Sequence, residues 1–418
     1  METYGGILLI AMPIFLTLVI AEKIWGWKKG LYTYNNMDTI SSLSSGITNV
    51  TKDVLGLALS IITYEWMVKH FAIVEIKASI IVYIIAFIVL DFAGYWTHRW
   101  QHKINILWNM HVIHHSSEEF NLACALRQSI SNLINIFTFL LLPAALLGVP
   151  TKVIAIVAPI QLFAQFWYHT RLINKMGFLE HIIVTPSHHR VHHGINKEYI
   201  DKNLSQIFII WDKLFGTFQK ELKEAPPVYG ITVPAATWNP IKINFQHLWL
   251  MMQDAWHTNI VKDKFTLWFK PTGYRPADVI DKYPIPKIDH IYTYQKYNTH
   301  PSVLLSLWSF VQLFVTLFFI SYLFANIALI NAINTYYIYW YGLFIFLQVY
   351  AYTELMDNNK NAWIWEYTKN IIAIIFLYQQ QQWFGSHQVF SAMPYLVFEY
   401  LIISFTISAY FRIQMGRK

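Results

Sequence analysis

Three histidine motifs constrain the fold of this chain more than any other feature. They read HRWQH at 98–102, HVIHH at 111–115 and HRVHH at 189–193. Side chains three or four residues apart lie on one face of a helix, so each motif can direct several imidazoles towards a common point. Imidazole is a ligand of iron, zinc, copper and nickel. We therefore expect a fold that brings three helical segments together around bound metal.

The composition is that of an integral, multi-pass membrane protein. Of the 418 residues, 55% are hydrophobic and only 13% are charged, whereas about 25% of a soluble domain is charged. Apolar runs of about 20 residues can cross a bilayer as helices. The runs in this sequence predict an all-α, polytopic protein with about nine transmembrane helices. They begin near Gly6, Ile47, Ile80, Ile130, Lys152, Val303, Tyr336, Ile364 and Pro394.

Basic residues predict the orientation, because cytoplasmic loops carry an excess of lysine and arginine. The loops after the first, third and fifth runs and the C-terminus are the basic ones, which places the N-terminus outside, the C-terminus in the cytoplasm and all three histidine motifs on the cytoplasmic side. This bias and contact with anionic headgroups account for the net charge of +7, so we expect no nucleic-acid partner. The basic residues are Lys23, Lys28, Lys29, Arg99, Lys103, Arg127, Arg171, Lys175, Arg190, Arg412, Arg417 and Lys418.

Three regions follow from the distribution of motifs and prolines. Residues 1–220 contain every histidine motif and form the predicted catalytic region, and residues 302–418 form C-terminal transmembrane helices. Residues 221–301 between them are rich in proline, which interrupts regular structure. This segment is predicted to be cytoplasmic or interfacial, either as amphipathic helices in the headgroup layer or as a folded cap over the site. Its aromatic residues include Phe245, Trp249, Trp256, Phe265, Trp268 and Phe269.

The number of histidines predicts two metal ions, since eight or nine imidazoles exceed what one ion accepts. Cys124 is the only cysteine, which excludes an internal disulfide and a four-cysteine iron–sulfur cluster. His169 lies outside the motifs but at the cytoplasmic end of the fifth run, where it can face them, and we include it. The candidate metal ligands are His98, His102, His111, His114, His115, His169, His189, His192 and His193.

Three polar residues beside the motifs are candidates for orienting the ligands. Ser116 and Glu119 match a capping box that would begin a helix, but carboxylates also commonly orient metal-bound imidazoles. Both roles stay open for Glu118 and Glu119. His188, next to the third motif, is either a loop residue or a hydrogen-bond partner of a ligand.

The order of the motifs, HxxxH, HxxHH and HxxHH near predicted membrane edges, resembles the fatty acid hydroxylase and sterol desaturase superfamily of membrane di-iron oxygenases. The resemblance extends from Asp91 to about Phe218, and the stretches 111–129, 185–194 and 210–218 are most similar to the alkylglycerol monooxygenase family. It implies that the eight motif histidines bind two iron ions. It also implies tetrahydrobiopterin as a reductant and an O₂-dependent cleavage of an ether lipid to a fatty aldehyde and a glycerol derivative.

Lys103 departs from the resemblance, because the resembled family typically carries glutamate after the first motif. The reversed charge bears on pterin use and on ether specificity, while the metal ligands are unaffected. An alternative within the superfamily is a sterol or fatty-acid hydroxylase or desaturase with a separate electron donor. The sequence contains no cytochrome b5-like His-Pro-Gly-Gly motif, so electrons must come from outside the chain.

An alternative of another class is a metal transporter or a metal-stabilised lipid-binding protein. Transport favours ionisable residues near the middle of membrane spans, whereas these motifs lie at predicted span ends. The sequence therefore favours a membrane oxygenase acting on a lipid in the presence of O₂.

Overall fold

The computed structural model describes residues 2–416, and the predicted basic residues Arg417 and Lys418 lie outside this range. Helices dominate the described chain, which confirms the all-α prediction. In this range, the only paired strands, β1 and β2, are two residues each and parallel, with Leu59 opposite Ile134. The elements are α1 (Glu2–Lys28), α2 (Asn36–Val54), β1 (Leu59–Ser60), α3 (Tyr64–Phe71), α4 (Ile80–Lys103), α5 (Asn105–Trp108), α6 (Val112–His115), β2 (Ile134–Asn135), α7 (Leu142–Leu146), α8 (Thr151–Phe163), α9 (Pro186–His192), α10 (Ile210–Leu214), α11 (Pro240–His257), α12 (Val261–Thr266), α13 (Ala277–Ile280), α14 (Val303–Ala325), α15 (Ile327–Ile333), α16 (Tyr337–Met356), α17 (Ala362–Gln380) and α18 (Met393–Gly416).

Four of the described helices, α1, α4, α14 and α18, are long and apolar enough to cross a membrane. The predicted number of nine spans is not confirmed. The runs that begin near Ile130 and Lys152 fold as the short apolar helices 137–146 and 151–163. They are interrupted by Gly148, which adopts a φ of +66°, and by Pro150, which is extended at the start of α8.

Helix α4 carries the first histidine motif on its last turns, as the sequence predicts. It begins after Ser79, whose hydroxyl accepts a hydrogen bond from the Val82 amide at 3.4 Å. It ends at Lys103 because the next residue, Ile104, is extended and forms an isolated antiparallel bridge with Pro271. The histidine end of this apolar helix is thereby joined to the segment that follows α12.

The C-terminal helices α14, α16, α17 and α18 pack together and against α1 and α2 around a large apolar core. Two charged residues of the predicted run from Ile364 lie inside this bundle. The Nζ of Lys369 is 2.8 Å from a carboxylate oxygen of Glu366, and both side chains are completely buried. Gln312 and Ser404 also donate hydrogen bonds to Glu366. The charges are therefore paired inside the bundle.

Helix α11 organises the proline-rich segment. Asn239 precedes it, and the Asn239 side chain accepts hydrogen bonds from the amides of Ile241 and Lys242, while Pro240 supplies a first helical residue that needs no amide partner. His247 on α11 lies with its Nε2 3.0 Å from the Asn105 carbonyl oxygen. The segment therefore packs over the residues between the first two histidine motifs.

Candidate metal centre

Four chain segments bring the histidines together. The end of α4 carries the first motif, and the short helix α6 carries the second, with His111 immediately before the helix. The third motif lies on α9, which Thr185 and Pro186 begin and after which His193 follows. His169 enters from the turn after α8. All nine candidate ligands lie in two groups, in which one nitrogen of each member is within 4.8 Å of the others.

The first group combines all three motifs. Its members are His98, His102, His111, His115 and His192. The Nε2 atoms of His98 and His111 are 2.9 Å apart. The Nε2 atoms of His102, His115 and His192 are buried and have no hydrogen-bond partner. The group therefore has several unpaired ring nitrogens that converge on one point.

The second group contains His169 and three motif histidines, His114, His189 and His193. The Nε2 of His189 lies 2.8 Å from the Nε2 of His169 and 3.0 Å from that of His193. The Nε2 atoms of His169 and His114 are 3.3 Å apart. His169 is thus as close to its neighbours as the motif histidines are to one another.

These separations fit bound metal. Two nitrogens bound to one ion at 2.0–2.1 Å and at right angles to each other are about 3 Å apart. Unpaired buried polar atoms are otherwise rare in proteins, because leaving a buried donor or acceptor without a partner is costly. Neutral imidazole nitrogens in two compact groups are a donor set that suits two transition-metal ions.

Backbone carbonyls fix the orientation of four ligands. A hydrogen bond from Nδ1 sets the tautomer and leaves the Nε2 lone pair free for metal. The distance from Nδ1 to the carbonyl oxygen is 2.7 Å from His98 to Leu204, 3.2 Å from His114 to Arg127, 3.0 Å from His169 to Gln165 and 3.0 Å from His192 to Lys202.

Asp201 supports a fifth ligand, and the sequence analysis did not identify it. One carboxylate oxygen of Asp201 is 3.5 Å from the Nδ1 of His102, and the other is 2.7 Å from the Nζ of Lys103. Burial opposes ionisation of this carboxyl, but hydrogen bonds from His102 and Lys103 outweigh it and lower the pKa of Asp201. Asp201 lies eight residues after the third motif in a backbone with a φ of +58°, and no local pattern marks it.

Burial keeps the histidines of the second and third motifs neutral. It lowers the pKa of His114 to about 4, and it lowers the pKa of His111 and His115 well below the ordinary value of 6.5. The pKa values of His189 and His193 are lowered in the same way. Neutral imidazole is the form that binds metal.

The carboxylates after the second motif are directed away from the imidazoles. Glu118 accepts hydrogen bonds from the Tyr294 hydroxyl at 2.7 Å and from the Tyr297 amide at 2.6 Å. Glu119 pairs with Lys296 at 2.7 Å. Burial raises the pKa of both carboxyl groups. Their contacts connect the second motif to residues 294–297.

The predicted capping box at Ser116 and Glu119 is wrong. Ser116 follows the last residue of α6, and its hydroxyl donates to the Ile113 carbonyl at 2.7 Å. The capping role belongs to His188 at the third motif, because the Thr185 amide donates to the Nδ1 of His188 at 3.3 Å and so closes the first turn of α9.

A buried ion pair lies beneath the second motif. A terminal guanidinium nitrogen of Arg127 is 2.7 Å from a carboxylate oxygen of Asp38 on α2. The same guanidinium donates to the hydroxyls of Ser42 at 2.9 Å and Ser116 at 2.7 Å. The carbonyl of Arg127 also accepts the hydrogen bond from His114. The loop from Ser116 to Arg127 orients this ligand, and the guanidinium of Arg127 holds both of its ends.

A cavity of about 600 Å³ opens beside the histidine groups, within the size range of small-molecule sites. His102, His115 and His192 of the first group line it, together with His193 of the second group. Helix α11 also lines it, with side chains that include Ile243 and Leu250. Of the four lining histidines that belong to the two groups, three are in the first group, so the cavity gives an apolar molecule access mainly to that group.

Comparison with known proteins agrees with this geometry. The profile of the fatty acid hydroxylase family matches residues 83–217, which include all three motifs. Human alkylglycerol monooxygenase is 34% identical over 373 residues, which make up 88% of this chain and 82% of the human protein. The alkylglycerol monooxygenase of Xenopus tropicalis is 37% identical over 270 residues, covering 64% of this chain and 59% of that protein.

A more distant relative also acts on a lipid, according to its name. An ornithine lipid hydroxylase from Rhizobium tropici is 23% identical over 230 residues, covering 53% of this chain and 67% of that protein. No solved structure gives a significant match.

Proposed function

Because this chain belongs to the alkylglycerol monooxygenase family of fatty acid hydroxylases, we propose that it is a membrane monooxygenase that uses O₂ to cleave the ether bond of alkylglycerols. The observation that carries the proposal is the pair of histidine groups beside a cavity whose lining is mainly apolar. The apolar cavity suits the alkyl chain of a lipid, and the histidine groups suit metal.

Two iron ions are assigned to the two histidine groups in this proposal. His98, His102, His111, His115 and His192 would hold one ion. His114, His169, His189 and His193 would hold the other. When bound, the two ions would supply the redox chemistry that O₂ activation requires.

The reaction takes one O₂, two electrons and two protons. One oxygen atom is placed on the carbon beside the ether oxygen, and the other is released as water. The resulting hemiacetal breaks its bond between that carbon and the ether oxygen, which gives a fatty aldehyde and a glycerol derivative. The chain has three tasks in this reaction: its histidines hold the metal, its cavity orients the alkyl chain, and its apolar walls exclude water from the reacting carbon.

The two electrons come from outside the chain, and we propose tetrahydrobiopterin as their source. Lys103 bears on this proposal through Asp201. The Lys103 ammonium neutralises the Asp201 carboxylate at 2.7 Å, and Asp201, unlike Lys103, lines the cavity. The lysine therefore changes the charge near the cavity without contacting it, which leaves the cavity able to accept a neutral reductant.

The proposed topology places the site in the cytoplasm, with the N-terminus outside and the C-terminus cytoplasmic. The support is the positive-inside distribution of lysine and arginine, together with the position of the first motif at the C-terminal end of α4, which the basic residues assign to the cytoplasm. A cytoplasmic site would have direct access to a soluble reductant.

The proposal is tested with iron-loaded protein purified in detergent. Radiolabelled alkylglycerol, O₂ and tetrahydrobiopterin should yield fatty aldehyde, and omission of the pterin should abolish it. Protein with two irons per chain that produces no aldehyde would refute ether cleavage. If that protein instead hydroxylates a sterol or a fatty acid with a protein electron donor, the alternative within the superfamily replaces it.

The ligand assignment has its own measurement, namely the iron content per chain. His169→Ala should lose one of two irons and nearly all activity, because His169 is one of only four nitrogens in its group. His290→Ala is the matched control, since His290 is exposed and belongs to neither histidine group. Two irons retained in His169→Ala would exclude His169 as a ligand.

A further inference from the structure

Helices α11 and α12 and the 3-10 turn Leu267–Phe269 present an exposed aromatic surface. Trp249 is 59% exposed, Trp256 83%, Phe265 73% and Phe269 76%. We call these four residues the aromatic face. Large aromatic side chains with so much exposed area are unusual on a surface that faces only water, and they are typical of the membrane interface. The face therefore needs an apolar partner.

The aromatic face is anchored to the end of a membrane-spanning helix. The Asn105 amide, two residues after the end of α4, donates to the Lys270 carbonyl at 2.9 Å. The Thr272 amide donates to the carbonyl of Lys103, the last residue of α4, at 3.3 Å. Because α4 is long and apolar enough to cross a membrane, these contacts hold residues 267–272 beside the end at which the helix would leave the bilayer.

The charge of the same segment favours a bilayer surface over other partners. Residues 240–270 contain four lysines and only two aspartates, Asp254 and Asp263, and both aspartates are buried. Asp254 is also neutralised by Arg275 at 2.7 Å. Lys242 is neutralised by the buried carboxylate of Glu354, so Lys262, Lys264 and Lys270 supply the positive charge of this segment. Lysines close to a membrane are attracted to anionic headgroups. The lysines are Lys242, Lys262, Lys264 and Lys270.

Trp249 belongs both to the aromatic face and to the lining of the cavity. Its neighbours Leu250 and Met251 also line the cavity, whereas Trp256, two turns further along α11, does not. The side chain of Trp249 therefore lies where the exposed surface of α11 meets the path to the histidines.

We propose that the aromatic face docks on the surface of the bilayer that α4 crosses, and that the lipid substrate moves sideways from that bilayer into the cavity past Trp249. The docking of the face stands on the exposed aromatic residues, the lysines and the end of α4. The role of Trp249 in lipid access also rests on the proposed function. Lipid substrates would then reach the site without crossing water.

The docking is tested by site-specific labelling, which this chain permits because its only cysteine, Cys124, is completely buried. Phe265→Cys and Phe269→Cys are labelled with the environment-sensitive fluorophore NBD and reconstituted into vesicles of phosphatidylcholine and phosphatidylserine. Lys197→Cys, at an exposed loop position, is the control. Both face positions should emit at shorter wavelength than the control and be quenched by doxyl-labelled lipid. Emission from both positions that matches the control would overturn the docking.

Trp249 is tested by comparing two presentations of the substrate. Trp249→Ala should raise the KM for a long-chain alkylglycerol embedded in vesicles by several-fold, with the iron content unchanged. The KM for a short-chain alkylglycerol dissolved in water should rise less than the KM for the embedded substrate, and Trp249→Phe should restore most of the loss. The matched control is Trp27→Ala, since Trp27 is 65% exposed but lies at the end of α1 and does not line the cavity. Equal KM changes for both substrates would overturn the access role.

Failure of this inference can be told from failure of the proposed function. The NBD measurements require no turnover, so lipid contact at Phe265 and Phe269 would support docking even if no alkylglycerol is cleaved. Conversely, the wild-type protein could form aldehyde while the NBD labels at Phe265 and Phe269 report an aqueous environment. That result would leave the proposed function intact and overturn the docking.

Discussion

Replacing Arg127 with methionine tests how the ligands of the second motif are held in place. The substitution removes a guanidinium that is almost fully buried, pairs with Asp38 at 2.7 Å and donates to Ser42 and Ser116. Asp38 would be left as a buried, unpaired carboxylate. Removing one partner of a buried ion pair costs about 3–5 kcal/mol, most of it from the charge that remains. We expect Arg127→Met to lose that much unfolding free energy.

The expected loss has a second consequence at the metal centre. The Arg127 carbonyl accepts the hydrogen bond from His114, so a displaced loop frees this imidazole to rotate. Loss of such a supporting contact lowers metal affinity by roughly 10–100-fold. The second histidine group, which contains His114, should therefore lose its iron at chelator concentrations that the wild-type protein tolerates.

The assay is reversible unfolding in mixed micelles, with the iron content measured in a chelator titration. Arg275→Met is a matched control, because Arg275 pairs with Asp254 at the same 2.7 Å and both side chains are buried. It should lose a similar unfolding free energy while the iron affinity stays near the wild-type value, since Arg275 makes no hydrogen bond to a histidine in the described residues.

A double substitution separates the charge from the shape. Arg127→Met combined with Asp38→Leu removes both charges, and apolar replacement of a whole buried pair is often close to neutral. The double variant should thus be more stable than Arg127→Met alone. If Arg127→Met costs less than about 1 kcal/mol, in the range of an exposed pair, or binds both irons as tightly as the wild type, the argument for this ion pair is refuted.

Asp201→Asn should weaken iron binding by about 10–100-fold, because Asp201 supports the ligand His102. Lys103→Met is the control and should change iron affinity far less, because it leaves the Asp201 carboxylate in place. Equal losses of iron affinity in a chelator titration would contradict this role of Asp201. Burial raises the pKa of Asp357 from 3.8 to about 6, so the folded state favours the protonated form. The unfolding free energy should therefore rise as pH falls from above 6 towards 4. Thermal unfolding across this range should show a smaller slope with pH in Asp357→Asn, and an unchanged slope would exclude Asp357 as the source.

The sequence could predict that the histidines meet, because their spacing is a property of the helix itself. His111 and His115 are four residues apart and join the same group, as do His189 and His193. The nine histidines divide into one group of five and one of four, and a further property of the helix, which was not used in predicting the site, explains this division. Adjacent residues on a helix point in different directions, and accordingly His114 lies in one group and its neighbour His115 in the other.

Other features depended on contacts that no local pattern carries. Asp201 reaches His102 across 99 residues of sequence, and the carbonyls of Leu204, Lys202 and Arg127 are groups that every residue possesses. The number of spans was harder still, because hydropathy does not register whether a polar residue has a partner. Lys369 lowers the mean hydropathy of the run from Ile364, yet it pairs with Glu366 inside the bundle.

The histidine-poor C-terminal region also contributes to the metal centre through a chain of contacts. Glu118, three residues after the second motif, accepts the amide hydrogen of Tyr297. The hydroxyl of Tyr297 donates to Asp357 at 3.0 Å, and Asp357 also accepts the amide hydrogen of Trp238 at 2.7 Å. Asp357 directly follows α16, so the C-terminal bundle holds both the loop after the ligands and the start of the segment that leads into α11. Because α11 lines the cavity, the bundle supports the reaction site from two sides of this contact chain without supplying a ligand.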